Sequence, residues 1–196
     1  TWNGSSWSGA QNLDPIRTSG TVYGIKGAER NGSDEIGIVW VDTNLDVSAN
    51  LWTGSAWYGE PTAALSTTVA RSGGASPAAV PTTRAYDLAF ESQSGDLMVA
   101  WGNDAGSSQS DPRYIMKTAG GAWGAAAGTA ITNLTEDGEM LDISPSPVSD
   151  RIALTTCAVD SGADCNFIIW SGSAWGTVAS DTAAGTMEIG RASCRE

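Results

Sequence analysis

The sequence predicts an all-β protein built from repeated antiparallel units, and three observations lead to this fold class. A hexad containing Trp and Gly recurs along the chain. Short apolar runs bounded by polar turns recur with it, which is typical of strands. No segment keeps the 3.6-residue period of an amphipathic helix. Gly interrupts even the Ala-rich stretch 120–130 too often for a stable helix, so the predicted elements are strands.

The hexad marks the end of each unit. Three copies are Trp2–Trp7, Trp52–Trp57 and Trp170–Trp175, and a degenerate copy, Thr118–Trp123, lacks the first Trp. The second Trp recurs at intervals that indicate a unit of roughly 50 residues. A Gly stands two positions after the start of each copy, where we expect it to turn the chain into the last strand of the unit.

Each unit is predicted to contain four strands. The first is short and ends in a polar turn, as Tyr86–Phe90 does before Ser92–Gly95. The second is a nearly continuous apolar run, which predicts burial on both faces. The third leads into the hexad, and the fourth begins at the second Trp of the hexad. The second strands are predicted at Ile36–Val41, Leu97–Trp101 and Ile152–Thr156, the third at Ala49–Trp52, Arg113–Lys117 and Asn166–Trp170, and the fourth from Trp57, Trp123 and Trp175.

These strands give three complete units and the closing hairpin of a fourth. The units are predicted at 17–66, 80–130 and 135–187, and the hairpin at 1–12, within one domain over 1–187. Residues 188–196 resemble one translated frame of a sequencing adapter, so we interpret them as a non-native tail. Because such a set of units exposes sheet edges and faces, we expect it to self-associate.

Composition excludes several classes of function. The 196 residues include 10 Lys and Arg, 22 Asp and Glu and no His, which gives a formal net charge of −12. This charge repels phosphate backbones and anionic lipid, so we expect no nucleic-acid partner and no role at a membrane surface. The sequence has no run of about 18 apolar residues, so we expect no membrane insertion. The absence of His excludes Ser-His-Asp triads, Cys-His pairs and His-ligated metals.

Two cysteines are placed to form a disulfide. Cys157 and Cys165 flank a polar segment that contains Gly, so the two thiols are predicted to face each other across a hairpin. A pair of free, half-buried thiols is the alternative. A disulfide predicts an oxidising compartment, and therefore an extracellular or cell-surface location.

Four-stranded units of this length, with a doubly buried second strand, are what the blades of a β-propeller require. The Gly-x-x-Trp of the hexad resembles the end of the Asp-box of sialidase-type propellers, and Trp-x-Gly-x-x-Trp is similar to blades of the fungal fucose-lectin type. The resemblance implies a partial β-propeller of about three four-stranded antiparallel blades plus a closing hairpin. It does not carry over a repeated Asp-box acid or an Arg and Glu sugar-binding pair, so it predicts architecture and not activity.

The aromatic residues supply the predicted ligand contacts. The first Trp of each complete hexad is expected to be exposed and to stack on a sugar ring; these residues are Trp2, Trp52 and Trp170. The remaining Trp positions are expected to pack between units, since Trp buries a large area while its N–H needs only one partner. They are Trp7, Trp40, Trp57, Trp101, Trp123 and Trp175.

One acidic loop has the pattern of a calcium-binding loop. Asp42, Asn44 and Asp46 stand at alternate positions, from which a loop can offer oxygen ligands to Ca²⁺. Val47 replaces the Gly of such a loop and Thr53 its bidentate Glu, so turn formation is the favoured interpretation and Ca²⁺ the alternative. No other cofactor is predicted.

These observations together predict a non-catalytic, extracellular or cell-surface propeller module. Its predicted role is binding or scaffolding, with a glycan or a protein surface as the partner. One alternative is a fragment of a sialidase-like propeller glycosidase, whose catalytic groups lie partly in further blades. The other is a purely structural repeat of a large surface protein.

Overall fold

Antiparallel strands form over the predicted apolar runs. The computed structural model describes residues 4–10, 20–59, 65, 84–103, 112–134, 138–157 and 165–181. These residues contain eleven strands and no helix. The all-β prediction is therefore confirmed. Trp2 and residues 188–196 lie outside the described part of the chain, and no helix within that part could cross a membrane.

The strands form three separate sheets in chain order. Sheet 1 contains β1 (Val22–Glu29), β2 (Ile36–Asp42) and β3 (Val47–Trp52). Sheet 2 contains β4 (Tyr86–Phe90), β5 (Leu97–Trp101), β6 (Arg113–Lys117) and β7 (Thr129–Ala130). Sheet 3 contains β8 (Met140–Pro145), β9 (Ile152–Cys157), β10 (Cys165–Trp170) and β11 (Ala179–Asp181). The predicted second strands thus lie in three different sheets.

Corresponding strands of the three sheets keep the same register. The fourth residue of β5, Ala100, pairs with Asp87 on one side and Tyr114 on the other. The fourth residue of β9, Thr155, pairs in the same way with Asp142 and Phe167. Each strand residue of one sheet therefore has an equivalent residue in the other sheets, and the two can be compared directly.

The hexads form the predicted turns, but the last strand is shorter than predicted. Gly54 has a φ of 90°, and a Cβ atom added to it would crowd the side chain of Asp34. A residue other than Gly would therefore be strained at this position. The two Trp residues of a hexad form a single antiparallel bridge, as in Trp170 with Trp175. After each turn the chain forms only this one bridge, and regular strand pairing resumes later, at β7 and β11.

Two apolar clusters join the sheets face to face. The first contains Val39 and Val41 of sheet 1 with Leu88, Leu97 and other residues of sheet 2. The second contains Met98 and Ala100 of sheet 2 with residues of β8, β9 and β10. Sheet 2 consequently lies between the other two, and every residue of β4 and β5 is buried.

The predicted disulfide is confirmed. Cys157 and Cys165 are direct register partners on β9 and β10, with their Cα atoms 4.1 Å apart. The residues between them, 158–164, lie outside the described part of the chain. The disulfide therefore closes the hairpin that forms the middle of sheet 3.

Candidate functional site

The hexads bring two Trp side chains together in each complete copy. The ring centroids of Trp52 and Trp57 lie 5.4 Å apart at an interplanar angle of 66°. Those of Trp170 and Trp175 also lie 5.4 Å apart, at 60°. The bridge across each hexad turn sets this spacing. The same local sequence thus builds the same aromatic pair in sheets 1 and 3.

The pair in sheet 3 is closed by side chains of sheet 2. The ring centroid of Tyr114 lies 5.4 Å from that of Trp170 and 5.5 Å from that of Trp175. The indole N–H of Trp170 donates to Oε1 of Glu91 at 2.5 Å. Trp170 is only 6% exposed as a result. The side chain predicted as a ligand contact is used here to hold two sheets together.

Glu91 was not identified from the sequence, although it is central to this contact. It is 2% exposed, and its second carboxylate oxygen accepts a hydrogen bond from the Ser94 hydroxyl. Burial raises the pKa of the Glu91 carboxyl, and the hydrogen bonds from Ser94 and Trp170 oppose this rise. A buried acid with two donors acts as a structural acceptor.

The pair in sheet 1 borders an open cleft. This cleft, called the Trp52 cleft below, has a volume of about 350 Å³. Its lining consists of Trp7, Ser8, Gly9, Ala10, Ile36, Trp52 and Trp57. Trp52 and Trp57 are half-buried, and the buried indole nitrogen of Trp57 has no hydrogen-bond partner. The cleft therefore offers aromatic surface, while the N–H of Trp57 is buried beneath it.

Trp7 forms one wall of this cleft and departs from its prediction. It was expected to pack between units, but it is 76% exposed. The described residues provide no sheet that packs over its outer side, whereas Trp101 packs between sheets 1 and 2 and is 0% exposed. Trp40 is 1% exposed, although no described sheet covers its face of sheet 1. Trp57, Trp123 and Trp175 are half-buried.

Sheet 2 carries Lys117 at the position of Trp52 and Trp170. Lys117 is 3% exposed; its ammonium lies 3.9 Å from the centroid of the Tyr58 ring and donates to the carbonyl of Thr118. Burial lowers the pKa of Lys117. The neighbouring Trp123 donates its N–H to the carbonyl of Gly59 at 2.9 Å. These contacts join the hexad regions of sheets 1 and 2.

The acidic loop at Asp42 to Asp46 makes the contacts of a hydrogen-bonded turn. Asp42 is fully buried, and its carboxylate accepts from the backbone amides of Gly20, Asn44 and Asp46 at 2.7, 2.8 and 3.0 Å. Burial, together with the nearby charge of Asp42, raises the pKa of Asp46. No group of three or more His, Cys, Asp or Glu residues within the described ranges is arranged to hold a metal. The geometry supports the turn interpretation of this loop.

The first strands of the three sheets carry a second polar cluster. Lys26, Asp87 and Asp142 occupy the same register position on β1, β4 and β8. Lys26 donates to Asp87, and its nitrogen lies 3.8 Å from Oδ1 of Asp142. Arg84 contacts Asp142 at 3.0 Å and Asp87 at 3.8 Å. Charges that are far apart in sequence therefore meet where the first strands lie side by side.

Asp87 is the buried member of this cluster. It is fully buried, and it also accepts from the amide of Ile143 on β8 at 3.1 Å. Burial raises the pKa of Asp87, while the Lys26 ammonium and the amides of Ile143 and Leu88 oppose the rise. The matching alignment of Tyr86–Phe90 with Leu141–Pro145 is the sequence signal that pairs Asp87 with Asp142.

Comparison with known proteins adds no family to these observations. The chain matches no protein-family model, no curated protein and no solved structure. The candidate site therefore rests on its own geometry, and the Trp52 cleft is its most accessible part.

Proposed function

We propose that the chain is a non-catalytic binding and scaffolding module of β-propeller type, and that it binds through the Trp52 cleft. One observation carries this proposal. Tyr114 of sheet 2 packs against the Trp170–Trp175 pair of sheet 3, whereas the matching Trp52–Trp57 pair of sheet 1 borders an open cleft. Because a protein side chain fills the equivalent site in sheet 3, we favour a protein surface as the partner of the cleft.

The stacking of the sheets supports the propeller interpretation. Consecutive sheets pack face to face, and β4 contacts both β1 and β8. Propeller blades pack in this way, with the first strand of each blade next to the first strand of its neighbours. The charges of Lys26, Asp87 and Asp142 meet at this line of first strands.

The buried acids support the non-catalytic part of the proposal. General acid–base chemistry needs a carboxyl group that can reach a substrate. Asp42, Asp87 and Glu91 are instead buried and accept hydrogen bonds from backbone amides or from Trp and Ser side chains. The disulfide supports an extracellular or cell-surface location, because such bonds persist in oxidising compartments.

A glycan is the second candidate partner for the cleft. Trp7 presents an exposed ring at the mouth of the cleft, on which a sugar ring can stack. Trp side chains offer an apolar face and one polar donor, which suits the two faces of a sugar ring.

A comparison of two variants tests the site. Trp52→Ala removes the aromatic wall, and Val148→Ala removes an equally apolar side chain that is 75% exposed outside the cleft. We expect Trp52→Ala, but not Val148→Ala, to lose association with protein partners in sedimentation experiments. We expect the wild-type chain to show no binding on a glycan array. Trp52-dependent binding to arrayed glycans would instead support the second candidate, and turnover of chromogenic glycosides would overturn the non-catalytic proposal.

A further inference from the structure

Within the described part of the chain, no sheet packs on one of the two faces of sheet 3. Burial alternates along β8 and β9, so that Leu141, Ile143 and Leu154 face sheet 2 while their neighbours are exposed. The uncovered face carries Met140, which is 43% exposed, and Phe167, which is 41% exposed. A face of mixed apolar and polar residues is typical of interfaces that form between separate molecules.

Phe167 stands where sheet 2 places an interface residue. Phe167 pairs with the fourth residue of β9, and Tyr114 pairs with the fourth residue of β5. Tyr114 is the ring that closes the Trp170–Trp175 pair of the following sheet. Phe167 is therefore an aromatic residue at an interface position, and no following sheet is present among the described residues to receive it.

The opposite face of sheet 1 has no described sheet packed on it and is partly exposed: Trp40 is buried there, but two apolar side chains are not. Ile25 and Ile36 are 62% and 43% exposed. Their register equivalents in sheet 2 are Tyr86 and Leu97, which sheet 1 buries to 8% and 0% exposure. The Trp52 cleft lies on this same face, since Ile36 and Trp52 are register partners and both line it.

We propose that two copies of this chain associate head to tail, with Phe167 of one copy entering the Trp52 cleft of the next. The inference rests on the proposed function of the cleft, and it names a second copy as the partner. It extends an interface that the chain already forms twice, from sheet 1 to sheet 2 and from sheet 2 to sheet 3. Phe167 against Trp52 and Trp57 repeats the contact of Tyr114 with Trp170 and Trp175.

Such an interface is heterologous, because each copy contributes a different face. Heterologous contacts produce closed rings when the rotation closes and open filaments when it does not. The wild-type chain should therefore form species larger than a dimer as its concentration rises, which sedimentation velocity measures directly.

Two charge-introducing variants test both faces. Phe167→Glu damages only the sheet 3 face, and Ile25→Glu damages only the sheet 1 face. Each variant alone should weaken self-association by about tenfold or more, since a charge then stands at the centre of an apolar contact. An equimolar mixture should form dimers and nothing larger, because the intact sheet 1 face of the first variant fits the intact sheet 3 face of the second.

Val148→Glu is the matched control, since it adds the same charge at an exposed turn residue of sheet 3. It should associate as the wild type does, and circular dichroism should show that all three variants keep their strands. A wild-type chain that stays monomeric, or one variant that still forms dimers by itself, would overturn the head-to-tail proposal. If Trp52→Ala still abolishes binding to other proteins in that case, the proposed function stands without it.

Discussion

Sheet 2 and sheet 3 each contain four strands paired in the same register, yet their burial differs. In β5, the adjacent residues Val99 and Ala100 are both fully buried. At the equivalent positions of β9, Leu154 is fully buried and Thr155 is exposed. Sheet 2 has a neighbour on each face, whereas sheet 3 has one described neighbour. The difference shows that neighbouring sheets, and not the strand itself, determine how many faces are buried.

The largest expected loss of stability comes from a buried residue of sheet 2, compared with an exposed residue of sheet 3. Leu97→Ala should reduce the free energy of unfolding by about 3 kcal/mol, because it empties a fully buried site. Leu97 fills the space above Gly37, where a Cβ atom would lie 2.8 Å from its side chain, so the cavity would border a residue that has no side chain. Phe167→Ala, on the open face, should cost less than about 1 kcal/mol in the same urea titration. Equal losses would contradict the comparison.

The disulfide should stabilise sheet 3, which has one neighbouring sheet among the described residues. Replacing Cys157 and Cys165 together by Ser should lower stability by about 2.5 kcal/mol, since the bond closes a short loop in the unfolded chain. Hydrogen exchange should then show that β8, β9 and β10 open before β4 and β5. A uniform acceleration of exchange in all sheets would show that the bond does not act locally.

Loss of the indole N–H at Trp170 should reduce the free energy of unfolding more than the same loss at Trp52, its equivalent in sheet 1. Trp170→Phe removes the N–H donor and leaves a buried carboxylate with one partner fewer, which should cost about 2 kcal/mol. Trp52→Phe is the matched control at the equivalent, half-buried position, and we expect less than about 1 kcal/mol there. Thermal unfolding of both variants measures the difference, and similar losses would contradict it.

The smallest expected effect is a pH dependence from Glu91. Burial raises its pKa in the folded state, so the folded protein holds this proton more tightly than the unfolded chain does. The stabilisation is fully present below the pKa of the unfolded chain and is lost as the pH rises through the folded pKa. Glu91→Gln should therefore flatten the decline in stability with rising pH, whereas Glu29→Gln, at an exposed position, should leave the slope unchanged.

The repeats were sufficient to predict the strands but not the environment of each hexad. Trp52 and Trp170 occupy the same place in nearly identical hexads, so local sequence cannot distinguish them. Their difference comes from Glu91 and Tyr114, which are distant in the chain and reach Trp170 only after the sheets stack. The Trp2 prediction lies outside the described residues.

The acidic loop shows a similar limit. The spacing of Asp42, Asn44 and Asp46 is compatible with a cation site and with a hydrogen-bonded turn, and Val47 and Thr53 favour the turn. The backbone amides of Asn44 and Asp46 point at the Asp42 carboxylate, which supports the turn interpretation. Side-chain spacing alone does not contain that information.

Asp87 has a consequence for the order in which the units can be arranged. Its carboxylate meets Lys26 from the preceding unit and the backbone of Ile143 from the following one. If gene rearrangement moved the first unit behind the third, Asp87 and Asp142 would remain neighbours without Lys26 in front of them. The buried Asp87 carboxylate would then lose the ammonium of Lys26 and keep the more distant guanidinium of Arg84 as its ion-pair partner, so these three units are not interchangeable.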